Sequence, residues 1–343
     1  MYKRQTEIRT QELRFTKAET AAFLQQSGMP ADDRTLQTLL GRVEGWVTGM
    51  RLAVLSSRHR GGEDLAPVQL KRGISYVTEY LLTEVLAGQP PVIQDYLLTT
   101  SILDRFCAPL CEAVCPSAFQ TLSSRKAEPH EEGWECEVSG GGYLEWLEAS
   151  DLFVVALDDK HEWYRYHHLF QQLLRNQLQR RCEPDEIAAI HARASAWYAQ
   201  NDLIDEALSH ALSAGDDLGA AHLVERYGRA RLNEDQWHVV EKWMAKLPEA
   251  IIQQRPQLLI AKAWVSYYHL ALWAIPPLLE ALETMLEDDA ASQPSWGEVD
   301  FFWGHHWYWQ GQSSRSLDLL GRALERIPEA HHAARGEAEL WWG

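Results

Sequence analysis

A chain of 343 residues, 46% hydrophobic and 24% charged, has room for two or three domains and enough apolar side chain for a sizeable core, which excludes a disordered or collagen-like polymer. Lys and Arg number 32 against 49 Asp and Glu, and a net charge of −17 excludes stand-alone DNA or RNA binding unless a basic patch is segregated; the densest basic stretch, Arg175 to Arg181, is broken by Asn and Gln. The charged N-terminus lacks an apolar segment, no run reaches membrane-spanning length, and the five cysteines are an odd number, so a cytoplasmic protein without a membrane partner is expected.

Gln11 to Phe15 reads as the end of a strand. Thr16, with Glu19 three residues on, forms a capping box ahead of Ala21, Ala22, Phe23 and Leu24 and predicts a helix start. Helical patterning resumes at Asp33 and continues through Met50 to Leu55, and Gly61 to Pro67 reads as a linker. Three helices are expected between Ile74 and Cys115: one through Val77, Tyr80, Leu81 and Val85, one started by Pro90 and Pro91, and a short one over Leu110 to Val114. Cys107, Cys111 and Cys115 recur every four residues and are read as buried small hydrophobes, because structural zinc draws on closer pairs. Pro116 to Gly142 is a polar insertion.

Next comes the one clear β signal. Leu152 to Leu157 is apolar and β-branched, Asp158-Asp159-Lys160 turns the chain, and Glu162 to Tyr166 alternates. Helices, a hairpin and a further helix from His167 make the layout of a winged-helix domain. After Pro184 the chain reads as paired helices. Ser195, Tyr198, Ala207, Ala211 and Ala214 form one small-and-aromatic set. Gly304, Trp307, Gly311, Ser316, Leu320, Ala323 and Pro328 fall at the positions of a tetratricopeptide repeat (TPR) of about 34 residues. Such hairpins cannot bury their own apolar face and need neighbours. The 15 tryptophans are read as filler between stacked helices.

No GxxxxGK[ST], GxGxxG after a strand, HExxH or GxSxG occurs. The pairs His167-His168, His305-His306 and His331-His332 rarely co-ligate one ion, since neighbours on a helix diverge by about 100°. Phe153 to Asp159 mimics a Walker B strand, but the hairpin turn explains its two acids. Trp264, Tyr267 and Tyr268 could stack on a flat ligand or pack between helices.

The blocks ELRFTKAETAAFL (12–24), VEGWVTGMRLAVLS (43–56), YLLTTSILDRFCAPLCEAVC (96–115), EASDLFVVALDD (148–159), WYRYHHLFQQLLRNQL (163–178), HARASAWYAQNDLIDEALSHALSAGD (191–216) and LPEAIIQQRPQLLIAKAW (247–264) resemble, in order, the ATP-dependent LuxR-type transcriptional regulators of bacteria, the MalT-like members of the STAND class. The resemblance implies a mainly α fold in four parts: a remnant of a nucleotide-binding domain (1–15), a helical lid (16–66), a winged-helix domain (67–183, with the insertion 116–142), and an incomplete TPR-like α-solenoid arm (184–343). The phosphate loop and the DNA-reading helix-turn-helix of the family would lie outside this sequence, and residues 1–5 do not continue the family's strand. Gly45 and Trp46 of GWVTG resemble the adenine-contacting lid motif GxP, with Val47 in place of its proline. His167 of Tyr166-His167-His168 matches the central His of the family's MHD motif, which meets the nucleotide phosphates; the other reading is that His167 and His168 cap the following helix.

The expectation is a regulatory fragment and not a self-sufficient enzyme. The intact parent would use ATP or ADP, a small-molecule or protein inducer on the arm, self-association, and DNA binding through the missing C-terminal domain. Two other readings stand beside it: a free-standing TPR-like scaffold for peptides or partner helices, and a metal-dependent hydrolase using the histidines and carboxylates.

Overall fold

The computed structural model describes residues 14–28, 31–33, 36–37, 39–40, 45, 47, 50–51, 54, 86–89, 91–115, 144, 147, 154–287 and 290–343. The chain divides into two compact units, 1–190 and 191–343.

In the first unit, α1 (Lys17–Gln26) starts where the capping box places it: the Thr16 N–H donates to Glu19 Oε2 at 2.8 Å and the Glu19 N–H to Thr16 Oγ1 at 3.3 Å. The reciprocal bonds hold the Glu19 carboxyl below its ordinary range. Arg14 and Phe15 are not in a strand; the Phe15 N–H instead donates to the Gly45 carbonyl at 2.9 Å. The expected helix through Val77 to Val85, the linker 61–67 and the insertion 116–142 lie outside the described residues.

Two helices and a hairpin then form the unit's best-defined part. Helix α2 (Pro91–Thr100) packs on α3 (Ala108–Val114), burying Tyr96, Leu97, Leu110 and Cys111 completely. Cys107 and Cys115 flank α3 and are buried too, so the cysteine stripe is core packing, with burial pushing the Cys111 thiol well up. Strands β1 (Val154–Ala156) and β2 (Tyr164–Tyr166) pair antiparallel, Val155 opposite Arg165, and Phe106 adds a bridge to Tyr164 through two 2.8 Å backbone bonds. Asp158 forms the turn: its carboxylate accepts from the Glu162 and Trp163 N–H groups at 2.9 and 3.0 Å. The Walker B mimic is therefore a hairpin turn.

Helix α4 (His168–Arg181) follows and packs back on α2. Gln171 donates to the carbonyls of Ser101 and Leu103, and Arg175 to those of Ser101 and Ile102, so two α4 side chains satisfy carbonyls at the end of α2 that have no helical partner. Arg175 also pairs with Asp104 at 2.8 Å. The densest basic stretch thus places one of its charges in the fold's own joints.

Helix α5 (Pro184–Gln200) runs from the first unit into the second. There follow α6 (Ile204–Ser213), α7 (Asp217–Asn233), α8 (Trp237–Met244), α9 (Glu249–Ile252), α10 (Pro256–Tyr268), a 3-10 turn (Leu272–Ala274), α11 (Ile275–Met285), α12 (Gln293–Trp309), α13 (Ser313–Arg326) and α14 (His332–Trp342). Pairs consecutive in sequence pack together, as α6 with α7, α10 with α11, and most extensively α12 with α13.

The small residues of the repeat pattern sit where those helices meet. A Cβ on Gly304 of α12 would lie 2.8 Å from Leu320 Cγ on α13, so only hydrogen fits there. Ser316 of α13 donates to the Gly304 carbonyl at 2.8 Å, and Ser195 of α5 makes the equivalent 2.8 Å bond to Ala207 of α6. Gly311 closes the α12–α13 turn at φ +72°, a left-handed conformation that suits glycine. Leu270 takes φ +57° in the α10–α11 turn without that freedom.

The tryptophans divide. Trp243 and Trp264 are core filler, as expected, but Trp273, Trp309 and Trp342 are exposed, so the packing explanation does not cover them.

Candidate functional site

Gly45 adopts φ +75°, and a Cβ there would come within 2.6 Å of the Phe15 carbonyl oxygen. The position therefore needs glycine for close backbone approach. Trp46 lies outside the described residues. His167 stands at the N-cap position of α4 and is 5% exposed, yet its side chain makes no capping bond; His168 is exposed. The helix-capping alternative for His167 is thus not what the side chain does.

The second unit holds a feature whose partners no local sequence signal locates. Glu298 of α12 is 1% exposed and accepts three hydrogen bonds. Arg229 of α7 donates to Oε1 at 2.6 Å, His331 in the α13–α14 turn contacts Oε1 at 3.2 Å, and the Trp264 indole N–H of α10 donates to Oε2. Burial would raise the carboxyl, but Arg229, His331 and Trp264 together hold it below its ordinary range. One buried charge therefore joins its own helix to three segments between 33 and 69 residues from it.

The same region links helices far apart in sequence. Helix α7 packs on α14, Asn233 donates to the Ala330 carbonyl at 2.8 Å, and the His332 ring donates to the Asn233 carbonyl at 3.1 Å. Tyr267 donates to Glu337 and accepts from the Trp341 indole. Trp264 stacks on Phe301 at 5.1 Å and 11°. The aromatics Trp264, Tyr267 and Tyr268 are therefore core packing. His305, 4% exposed, accepts from the Trp309 indole N–H at 3.1 Å, and burial, with His306 adding to it, lowers its pKa to about 4. It is a neutral acceptor at pH 7.

A cleft of about 770 Å³ opens between α11, α12 and α13. From α12 it takes Trp296, Trp303 and Trp307, all half-buried and spaced to share one face. From α13 come Arg315, Asp318, Arg322 and Arg326, and from α11 Glu283. Asp300 forms the floor: Arg322 binds one of its oxygens and Arg326 the other, each at 2.7 Å. Burial raises the Asp300 carboxyl despite both arginines. Arg315 lies 3.8 Å over the Trp307 ring. Sequence reasoning assigned Trp307 to repeat packing and missed the cleft. The signal was present as Trp at 296, 303 and 307, seven and then four residues apart.

Among the described residues no three His, Cys, Asp or Glu side chains are placed to hold a metal ion, and no helix is long and apolar enough to cross a membrane.

Helices carrying a two-stranded wing, in a chain that continues as antiparallel helices, define a mainly α, winged-helix-containing protein. Residues 82–187 match the family model of the MalT winged helix domain, and the chain is MalT-like. It is 30% identical over 340 residues to the HTH-type transcriptional regulator MalT of Klebsiella pneumoniae subsp. pneumoniae, covering 96% of this chain and 34% of that protein. It is 32% identical over 267 residues to the serine/threonine-protein kinase PknK of Mycobacterium tuberculosis, covering 76% of this chain and 22% of that protein. The chain thus spans between about a fifth and a third of the length of these relatives.

Proposed function

We propose that this chain is the regulatory portion of a bacterial MalT-like transcriptional regulator. It couples nucleotide state and inducer binding to self-association and DNA binding by domains outside it. The observation that carries this reading is one chain holding both the MalT-type winged helix at 82–187 and a helical unit drawn together by Glu298. In this reading residues 184–343 are a TPR-like arm, 16–66 a lid and 67–183 the winged-helix domain. The site of action is the cytoplasm.

His167 and the lid residues Gly45 and Trp46 face ATP or ADP in the intact parent. The fit rests on two features: His167 is buried at the N-terminus of α4, and Gly45 keeps the turn at Phe15 clear of a side chain. An imidazole beside phosphates gains a proton from their charge, and the nucleotide would supply the two chemical states that the switch distinguishes. The arm's part is mechanical. A ligand that favours one arrangement of the α7, α10, α12 and α14 joints shifts the population toward that arrangement, by no more than its difference in affinity.

The flanking reading frame tests the proposal. A phosphate loop is expected upstream and a helix-turn-helix downstream; a gene with neither would overturn it. His167→Ala in the full-length product is expected to weaken ADP retention, read by nucleotide content after gel filtration.

A further inference from the structure

We propose that the cleft between α11, α12 and α13 is a binding site for a small quaternary ammonium ion, which deepens the inducer reading above and rests on it. Three observations point to a cation. First, Trp303 and Trp307 present nearly parallel indoles, 22° apart with centroids 6.4 Å from one another, on one wall of the cleft. Indole faces are the strongest aromatic partners of a cation. Second, one such face is already occupied by a cation. Arg315 is exposed, lies 3.8 Å over Trp307 and has no ion-pair partner among the described residues, so its guanidinium holds the place of a ligand's charged group.

Third, the acids left over, Glu283 and Asp318, outnumber the one uncommitted cation, Arg315. Arg322 and Arg326 are each committed to Asp300. Glu283 accepts only the Trp303 indole N–H, at 2.7 Å, and Asp318 is exposed; neither has an ion-pair partner among the described residues. A net charge of −17 over the whole chain further concentrates cations and repels anions. A quaternary ammonium suits this wall better than a primary amine, because it is weakly hydrated and offers methyl groups to the indoles without needing hydrogen-bond acceptors.

The occupation by Arg315 gives the test a sign. Choline is titrated into the full 343-residue chain by calorimetry, beside its neutral isostere 3,3-dimethylbutan-1-ol and the aromatic anion indole-3-acetate. Choline is expected to bind at least about tenfold more tightly than the isostere, and Trp307→Leu to weaken it by about tenfold or more. Trp307→Phe, which keeps a ring, should retain part of the affinity if the Leu variant fails to fold by circular dichroism. Arg315→Gln, by vacating the ring, should tighten choline binding. Equal affinity for choline and its isostere would overturn the proposal. So would binding of indole-3-acetate that Arg315→Gln abolishes, or no heat with choline in either the wild type or Arg315→Gln. Binding is read on this chain alone, so failure here leaves the regulator reading standing, and a flanking frame without the family's domains leaves the cleft's chemistry standing.

Discussion

Replacing Glu298 with Gln removes one negative charge and adds an amide N–H pair where three donors already converge. Whichever way the amide turns, at least one donor among Arg229, His331 and Trp264 then faces another donor. Two unit charges about 4 Å apart attract by about 4 kcal/mol at an effective dielectric of about 20. Removing one partner of a buried pair costs about 3–5 kcal/mol, because the other remains desolvated. The amide oxygen recovers part of this through one charge-assisted bond, so a loss of about 2–3 kcal/mol is expected for the second unit.

Urea unfolding of the full chain gives the magnitude, and native-state hydrogen exchange assigns it. Protection should fall together in α7, α12 and α14 and stay unchanged in α2 and α4. The acid limb supplies an independent check. The Glu298 carboxyl is held below its unfolded value, so the unfolded chain takes up the proton first as pH falls. Its contribution is complete above the unfolded value of about 4.3 and disappears as pH drops through the folded value, so wild type and Glu298→Gln should converge in acid. A loss below about 1 kcal/mol, or exchange that quickens in α14 alone, would refute the joint.

Gly304→Ala forces a methyl against Leu320 and should cost about 1–2 kcal/mol, overpacking being partly offset by alanine's helix propensity. Leu320→Ala in the same chain should suppress that cost, giving a coupling of about 1 kcal/mol in a denaturation double-mutant cycle. His305 is neutral when folded and titrates only near 4, so below its unfolded value of about 6.5 the unfolded state binds more protons and stability falls as pH drops from about 6.5 to 4. His305→Phe should remove that slope, which amounts to at most about 3 kcal/mol across the window, measured as unfolding midpoint against pH. Leu270→Asn relieves a left-handed backbone at a largely exposed side chain and should raise stability by about 0.5–1 kcal/mol in thermal unfolding.

Features governed by local chemistry were legible in the sequence. The Thr16–Glu19 box, the Asp158 turn and the small residues at 304 and 316 each act within a few residues or within one helix pair, so spacing alone locates them. The charge–charge joints were not legible. Glu298 and Asp300 stand out as acids in an apolar helix, but their partners at 229, 322, 326 and 331 are fixed only by packing. The same holds for the cleft, whose indoles come from α12 and whose guanidinium comes from α13. The exposed Trp273 and Trp309 show why residue type alone cannot separate filler from surface.

The contact of α7 with α14 also bears on how the second unit comes into being. In an open repeat array, each hairpin docks on the one before it, and folding can proceed as the chain leaves the ribosome. Here α7 is finished only when residues about a hundred positions later arrive, with Asn233 meeting Ala330 and His332. Such closure makes the loop entropy fall due before the contacts form, so folding slows and becomes more nearly all-or-none. Translation arrested before residue 332 would leave α7 without that partner, making the nascent unit a substrate for chaperones until α14 emerges.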